Sequence, residues 1–176
     1  EDTYLNGEAQ SPRKQEYVAG EVYAMAGASA RHNRISGNVF VLLDAATRGT
    51  PCETFIADMK IKVANHRAFY YPDVMLCCDK DDDHPLYRSQ PCLIVEVLSP
   101  ATAGIDEREK WLHYRDIPSL RYYLLLDSEQ RRARVRIREG DGWLEQTLDA
   151  EDIVPIICGP VHSSICLDDI YDRTGL

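Results

Sequence analysis

No apolar stretch in this chain of 176 residues approaches the ~20 that a membrane-spanning helix requires. Cysteine pairs of the C-x-x-C type are also missing, so the six cysteines form no zinc-binding pattern. Internal repeats, low-complexity tracts and linkers are absent, and a single domain over residues 1–176 is the simplest organisation at this length. Positive charge is in short supply: 20 Lys and Arg stand against 29 Asp and Glu, a net charge of -9. That balance argues against a protein whose only task is to bind nucleic acid. It leaves room for a metal-using enzyme, whose cleft has its own local field. No secretory leader opens the chain, and a start without Met reads as a trimmed or partly disordered N-terminus. Most of the cysteines lie in apolar runs, which reads as reduced core thiols in a cytoplasmic protein.

What the chain does have is acid in an apolar place. The run Cys92-Leu-Ile-Val-Glu96-Val97-Leu98 is apolar on both faces and reads as a buried strand. An ionised Glu inside it costs several kcal/mol unless a cation or a donor network meets it. Asp73 follows Tyr71-Pro72 and precedes a second apolar run, Val74 to Cys78. Two carboxylates on neighbouring strands of one sheet can hold a divalent metal between them.

The remaining pattern predicts the frame around these acids. Tyr17 to Met25 reads as two short strands about a glycine turn, and Ser29 as the cap of a helix ending near Gly49. Cys52–Val63 and Ala68–Cys78 read as a strand pair, and Asp79 to Asp83 as a solvated hairpin tip. A helix from about Gly104 to Asp116 follows the Glu96 strand and leads to an apolar strand over 122–126. That succession is a βαβ unit with a parallel pair. Residues 132–138 and 143–148 form a hairpin, and the tail reads as irregular chain with a short last helix or strand. The fold class expected is an α/β sandwich with a central mixed β-sheet flanked by helices.

On the helix, Asp106, Lys110 and Tyr114 share one face at four-residue spacing. A Lys at the start of a helix that leaves the Glu96 strand can return over the strand end and stabilise charge on a phosphate. Taken alone it reads better as a surface partner of Asp106. In Arg132-Ala-Arg-Val-Arg-Ile-Arg138 four arginines share one strand face at ~7 Å intervals, a spacing able to follow a phosphate backbone. The plainer reading, a solvated face matched to Glu145 across the hairpin, has more weight. No spacing pairs His66, His84, His113 or His162 as metal ligands, and His32 reads as a structural or supporting group.

Several ordered motifs together resemble a known family. Glu16-Tyr-Val-Ala-Gly-Glu21-Val-Tyr, Arg31-His32-Asn, Tyr71-Pro-Asp73-Val, Ile94-Val-Glu96-Val-Leu-Ser99-Pro and Asp106-x3-Lys110-x3-Tyr114 are similar to those of the Uma-type restriction endonucleases. That family belongs to the PD-(D/E)xK nuclease superfamily, with a restriction-endonuclease-like fold, and the resemblance covers roughly residues 14–140. One departure stands out: the superfamily lysine belongs two residues after Glu96, where this chain has Leu98. The Uma-type pattern moves it to the following helix, and Lys110 fills that position. The resemblance therefore implies Asp73 and Glu96 as metal ligands, the Val97 carbonyl as a third, Lys110 as the charge-stabilising group and Glu21 as a further acid. It implies Mg2+, with Mn2+ as a substitute, DNA as substrate, and by analogy a homodimer for cutting two strands. Two rivals stand beside this reading: a nuclease fold that binds without cutting, and a structural protein whose Glu96 and Lys110 form an internal ion pair.

Overall fold

The computed structural model describes residues 1–25, 27–100 and 104–176, with Ile105 and Asp106 described by their backbone only. Helix α1 (Asp2–Glu8) precedes a hairpin of β1 (Gln15–Val18) and β2 (Glu21–Ala24). The hairpin turn holds Gly20 at φ 114°, a conformation open to glycine and strained for other residues. Helix α2 (Ala30–Thr47) is capped by Ser29, whose hydroxyl accepts from the His32 N–H at 3.1 Å. Its buried stripe is Ile35, Val39 and Leu43, spaced as a helix packed on a sheet demands. Four short strands follow: β3 (Glu53–Ile56), β4 (Lys60–Val63), β5 (Ala68–Tyr70) and β6 (Val74–Cys77). Next come β7 (Tyr87–Arg88) and β8 (Pro91–Leu98), the latter buried at every position. A π-turn, Ile105–Lys110, runs into α3 (Trp111–Tyr114). The chain closes with β9 (Tyr122–Asp127), β10 (Ala133–Glu139), β11 (Gly142–Leu148), β12 (Val154–Cys158), β13 (Val161–Ile165) and α4 (Leu167–Tyr171). Among the described residues no helix is long and apolar enough to cross a membrane.

The central sheet has the order β11-β10-β9-β8-β6-β3 and is mixed: β8 and β9 run parallel, and its other neighbours run antiparallel. The helical segment 105–114 is the crossover between the parallel pair, as the βαβ reading required. Leu93, Val95 and Val97 of β8 pack with α2, α4 and the β12–β13 hairpin on one face. Ile94 and Leu98 pack with Tyr114, Ile117 and residues of β4 and β5 on the other. Each of these buried side chains contributes about 1.5–3 kcal/mol. The expected α/β sandwich around a mixed sheet is the architecture found.

The predicted strand pair over 52–78 is divided. β3 and β6 belong to the central sheet, whereas β4 and β5 belong to a second sheet of order β2-β1-β5-β4-β7. Both crossings have a local cause. Ala57 takes a left-handed conformation, φ 59°, and Pro72 removes a ladder donor between Tyr70 and Val74. Asp73 therefore stands where the chain passes from one sheet to the other. The Asp79–Asp83 run is more than a solvated tip, since Asp82 accepts from the main-chain N–H groups of Ser89 and Gln90 at 2.7 and 2.8 Å. In the tail, residues 154–165 form a regular hairpin where irregular chain was expected.

Helix α1 is anchored by a buried pair, Glu8 with Lys60 at 2.8 Å, and Tyr71 donates its hydroxyl to Glu8. Four cysteines are joined in disulfides, Cys52 with Cys78 and Cys92 with Cys158, leaving Cys77 and Cys166 as thiols. This corrects the expectation of reduced core cysteines. The first pair meets where β3 runs beside β6, and the second where the last hairpin packs on β8, so sequence spacing carried no sign of either.

Two outcomes follow from this frame. Alkylation of the denatured, unreduced protein labels two cysteines, and Cys92→Ser lowers stability in urea by about 4 kcal/mol, the loop-closure value for a crosslink of this span. Six reactive thiols without reductant refute the pairing. At high pH the Tyr171 phenol provides a second test. It donates to the Asp127 carbonyl at 3.0 Å, and burial raises its pKa to about 12. Its stabilising share is complete below the unfolded pKa of about 10 and is lost as pH rises through about 12. Alkaline unfolding that is unchanged in Tyr171→Phe contradicts it.

Candidate active site

Strand β8 alternates its side chains between two cores, and Glu96 falls in phase with Ile94 and Leu98. Its carboxylate is thus driven into apolar surroundings, where it is 3% exposed. Two groups meet it there. Tyr114 donates its hydroxyl to Glu96 Oε1 at 2.9 Å, and the Lys110 ammonium lies 3.4 Å from the same oxygen. Lys110 is itself 5% exposed and also contacts Glu16 Oε1 at 3.0 Å. Glu16 accepts from the Tyr71 N–H at 3.3 Å, and the Lys110 ammonium lies 5.6 Å from the Tyr70 ring centre. Among the described residues, the Lys110 ammonium thus lies between two carboxylates. Burial first, and the Glu96 charge second, raise the Tyr114 pKa well above the usual phenol range, so the hydroxyl stays a donor.

Asp73 approaches from the neighbouring strand. Val74 pairs with Val95, so one step further along both strands Asp73 stands opposite Glu96. Asp73 Oδ2 accepts from the Val97 N–H at 2.7 Å, and Oδ1 lies 2.7 Å from His32 Nε2. His32 is delivered by the first turn of α2, whose start the Ser29 cap fixes. The Asp73 side chain is 20% exposed and borders a cleft of about 770 Å³ that His32, Arg13, Lys14, Ser99 and Ser128 also line.

Asp73, Glu96 and Lys110 are therefore brought to one end of the β6–β8 pair, and Val97 joins them through its main chain. Glu21 is not brought there. It begins β2, an exposed edge strand, and pairs with Val18. The acid at Lys110 is Glu16, which sequence reasoning passed over although it opens the same motif. Alternation held the signal: Glu16 and Val18 share a face of β1, and Val18 packs against the core that contains Tyr114. Lys110 and Tyr114 do share a helix face, whereas the Asp106 side chain lies outside the described residues. His32 proves to be the direct partner of Asp73. Three other histidines have other partners: His66 pairs with Asp116 at 2.8 Å, His113 Nδ1 meets the Tyr70 hydroxyl at 2.6 Å, and His84 stacks on Tyr87. In the basic stripe, Arg136 pairs with Glu145 across the hairpin, as the plainer reading had it, but its side chain is only 13% exposed, so the solvated face that reading expected is not found there.

The donor set here is hard: two carboxylates at facing positions of paired strands, with the Val97 main chain beside Asp73. Among the described residues no group of three or more His, Cys, Asp or Glu is arranged around a metal position. Few protein ligands of hard oxygen character fit Mg2+, which keeps several waters and takes one or two carboxylates. The same set is a poor match for Zn2+, which favours nitrogen and sulfur.

Known proteins give an independent view. The family model Uma2, described as "Putative restriction endonuclease", matches residues 2–160. The uncharacterised protein sll1609 of Synechocystis sp. is 37% identical over 153 residues, 85% of this chain and 86% of its own. A second uncharacterised Synechocystis protein, slr1290, is 34% identical over 172 residues, 97% and 90% of the two chains. Among solved structures, a "putative nuclease belonging to DUF820" from Anabaena variabilis superposes with a TM-score of 0.74 at 13% identity, covering 97% of this chain and 98% of that one. At that identity the likeness speaks for the fold, a restriction-endonuclease-like α/β sandwich. With the motifs, the fold and a family match over nearly the whole length in agreement, the chain belongs to the Uma2 family of restriction-endonuclease-like proteins.

Proposed function

We propose that this protein is a divalent-metal-dependent endonuclease that hydrolyses phosphodiester bonds in DNA. The observation that supports the reading is that Asp73 stands opposite Glu96 on paired strands and borders an open cleft, while Lys110 contacts Glu96 from the buried side. Asp73 and Glu96, with the Val97 carbonyl, hold Mg2+ or Mn2+. A cation held there supplies a lowered water pKa and a polarised phosphoryl oxygen. His32 and the Val97 N–H fix the Asp73 carboxylate, one oxygen each. Tyr114 fixes Glu96. Lys110 orients the attacking water or stabilises the charge that develops on the phosphate, as a preorganised cation in a dry setting does well. Glu16 takes the supporting place that the family resemblance gave to Glu21, by holding Lys110 from the side away from Glu96.

The direct test is incubation of plasmid and single-stranded DNA with Mg2+, Mn2+ or EDTA. Cleavage appears with either metal, stops with EDTA and is lost in Glu96→Gln. Intact DNA under every condition removes the nuclease reading in favour of a binding module.

A mutational contrast separates the roles. Asp73→Asn and Glu96→Gln lose both cleavage and metal binding. Lys110→Ala removes no ligand, so cleavage falls while metal-dependent DNA association persists. The same change strands two buried carboxylates and lowers stability by about 3–5 kcal/mol. Adding Glu16→Gln removes one of the stranded charges and recovers part of that loss in urea titration. A Lys110→Ala variant that cuts like the wild type returns Lys110 to a structural role.

A further inference from the structure

Arg134, Arg136 and Arg138 share one face of β10, and all three are turned onto the helical segment that carries Lys110. Arg134 forms an ion pair with Glu107 in the π-turn. The Arg136 guanidinium lies 4.4 Å from the centre of the Trp111 ring, and Trp111 stacks in parallel on Tyr123 at 5.6 Å. Arg138 donates to the carbonyls of Arg115 and Ile117 at 2.8 and 2.9 Å, capping the helix end, and covers Trp143 at 4.4 Å. Arg136 is only 13% exposed, so this face meets protein rather than solvent.

The spacing explains how a strand can hold a helix at three heights. Two residues of strand advance ~6.7 Å, and four residues of α-helix rise ~6 Å. Glu107, Trp111 and Arg115 are four residues apart, and the arginines are two apart, so the contacts stay nearly in step. The need for such contacts is local. A π-turn is a rare, poorly self-sustaining geometry found mostly at functional sites, and this one ends on Lys110. Arg134 braces its middle, while Arg136 grips the residue that follows the lysine.

We propose that Arg134, Arg136 and Arg138 act as a positioning ladder. They fix the rotation and height of the helical segment over 105–117 and so aim the Lys110 ammonium at Glu96. The effect on cleavage rests on the reading of Lys110 given above, whereas the clamp itself does not.

The test pairs amide hydrogen exchange with kinetics in Arg136→Ala, Arg136→Lys and Glu107→Gln, the last removing the π-turn contact without touching the β10 strand. In Arg136→Ala and Glu107→Gln, exchange over residues 107–117 accelerates about tenfold while β8 and β9 keep their protection. With Mg2+ and DNA, kcat falls by about 100-fold, the usual consequence of ångström-scale misplacement. KM and the salt dependence of DNA association stay at wild-type values. Arg136→Lys keeps a cation over Trp111 and restores most of both losses. Two results overturn the proposal. One is unchanged exchange over 107–117 in both Arg136→Ala and Glu107→Gln. The other is a raised KM with kcat preserved and a salt slope reduced by about one unit, the mark of a phosphate contact. If the wild type cuts no DNA, the exchange arm decides the clamp alone, and the failure belongs to the nuclease reading.

Discussion

A single ammonium group, buried between the carboxylates of Glu16 and Glu96, is the constraint on which this structure turns. Lys110 offsets much of the cost of an ionised Glu96 in an apolar core, and the acids offset the cost of burying the ammonium. Each partner sits on a different element: Glu16 on the second sheet, Glu96 on the central sheet, Lys110 at the end of the π-turn. Their mutual dependence ties the three elements into one arrangement. Among the described residues, two carboxylates converge on this one ammonium.

Much of this was legible before the fold was seen. A Glu within a run apolar on both faces had few innocent explanations, and its burial at 3% bears out the strand assignment. The parallel pair about a helix was readable because β8, the helical segment and β9 differ so clearly in pattern. The division of residues 52–78 between two sheets was not, since Ala57 carries no glycine-like warning of its left-handed turn. Glu16 escaped for a related reason. Two acids stood in one motif, and only the phase of β1 against a core formed by distant residues tells them apart. The disulfides were invisible because strand pairing in one case and sheet packing in the other, rather than spacing, bring their sulfurs together.

The arginine stripe shows how one pattern supports opposite readings. Alternating cations on a strand suit a phosphate backbone, an exposed edge or a packed helix equally well, and periodicity alone does not say which surface lies opposite. Here the opposite surface is supplied by Trp111 and the carbonyls at the end of α3, with Trp143 of the adjacent strand flanking it. The stripe spends its charge inside the molecule, consistent with a chain whose overall balance is acidic.

Asp73 stands at a crossing between sheets, Glu16 arrives near the start of the chain, and Lys110 follows well past its middle. No contiguous stretch of backbone contains the working set, and contacts of such long range form late in folding. The complete cluster therefore requires the central sheet, its crossover and the second sheet together, and a chain that lacks any one of them has only part of it.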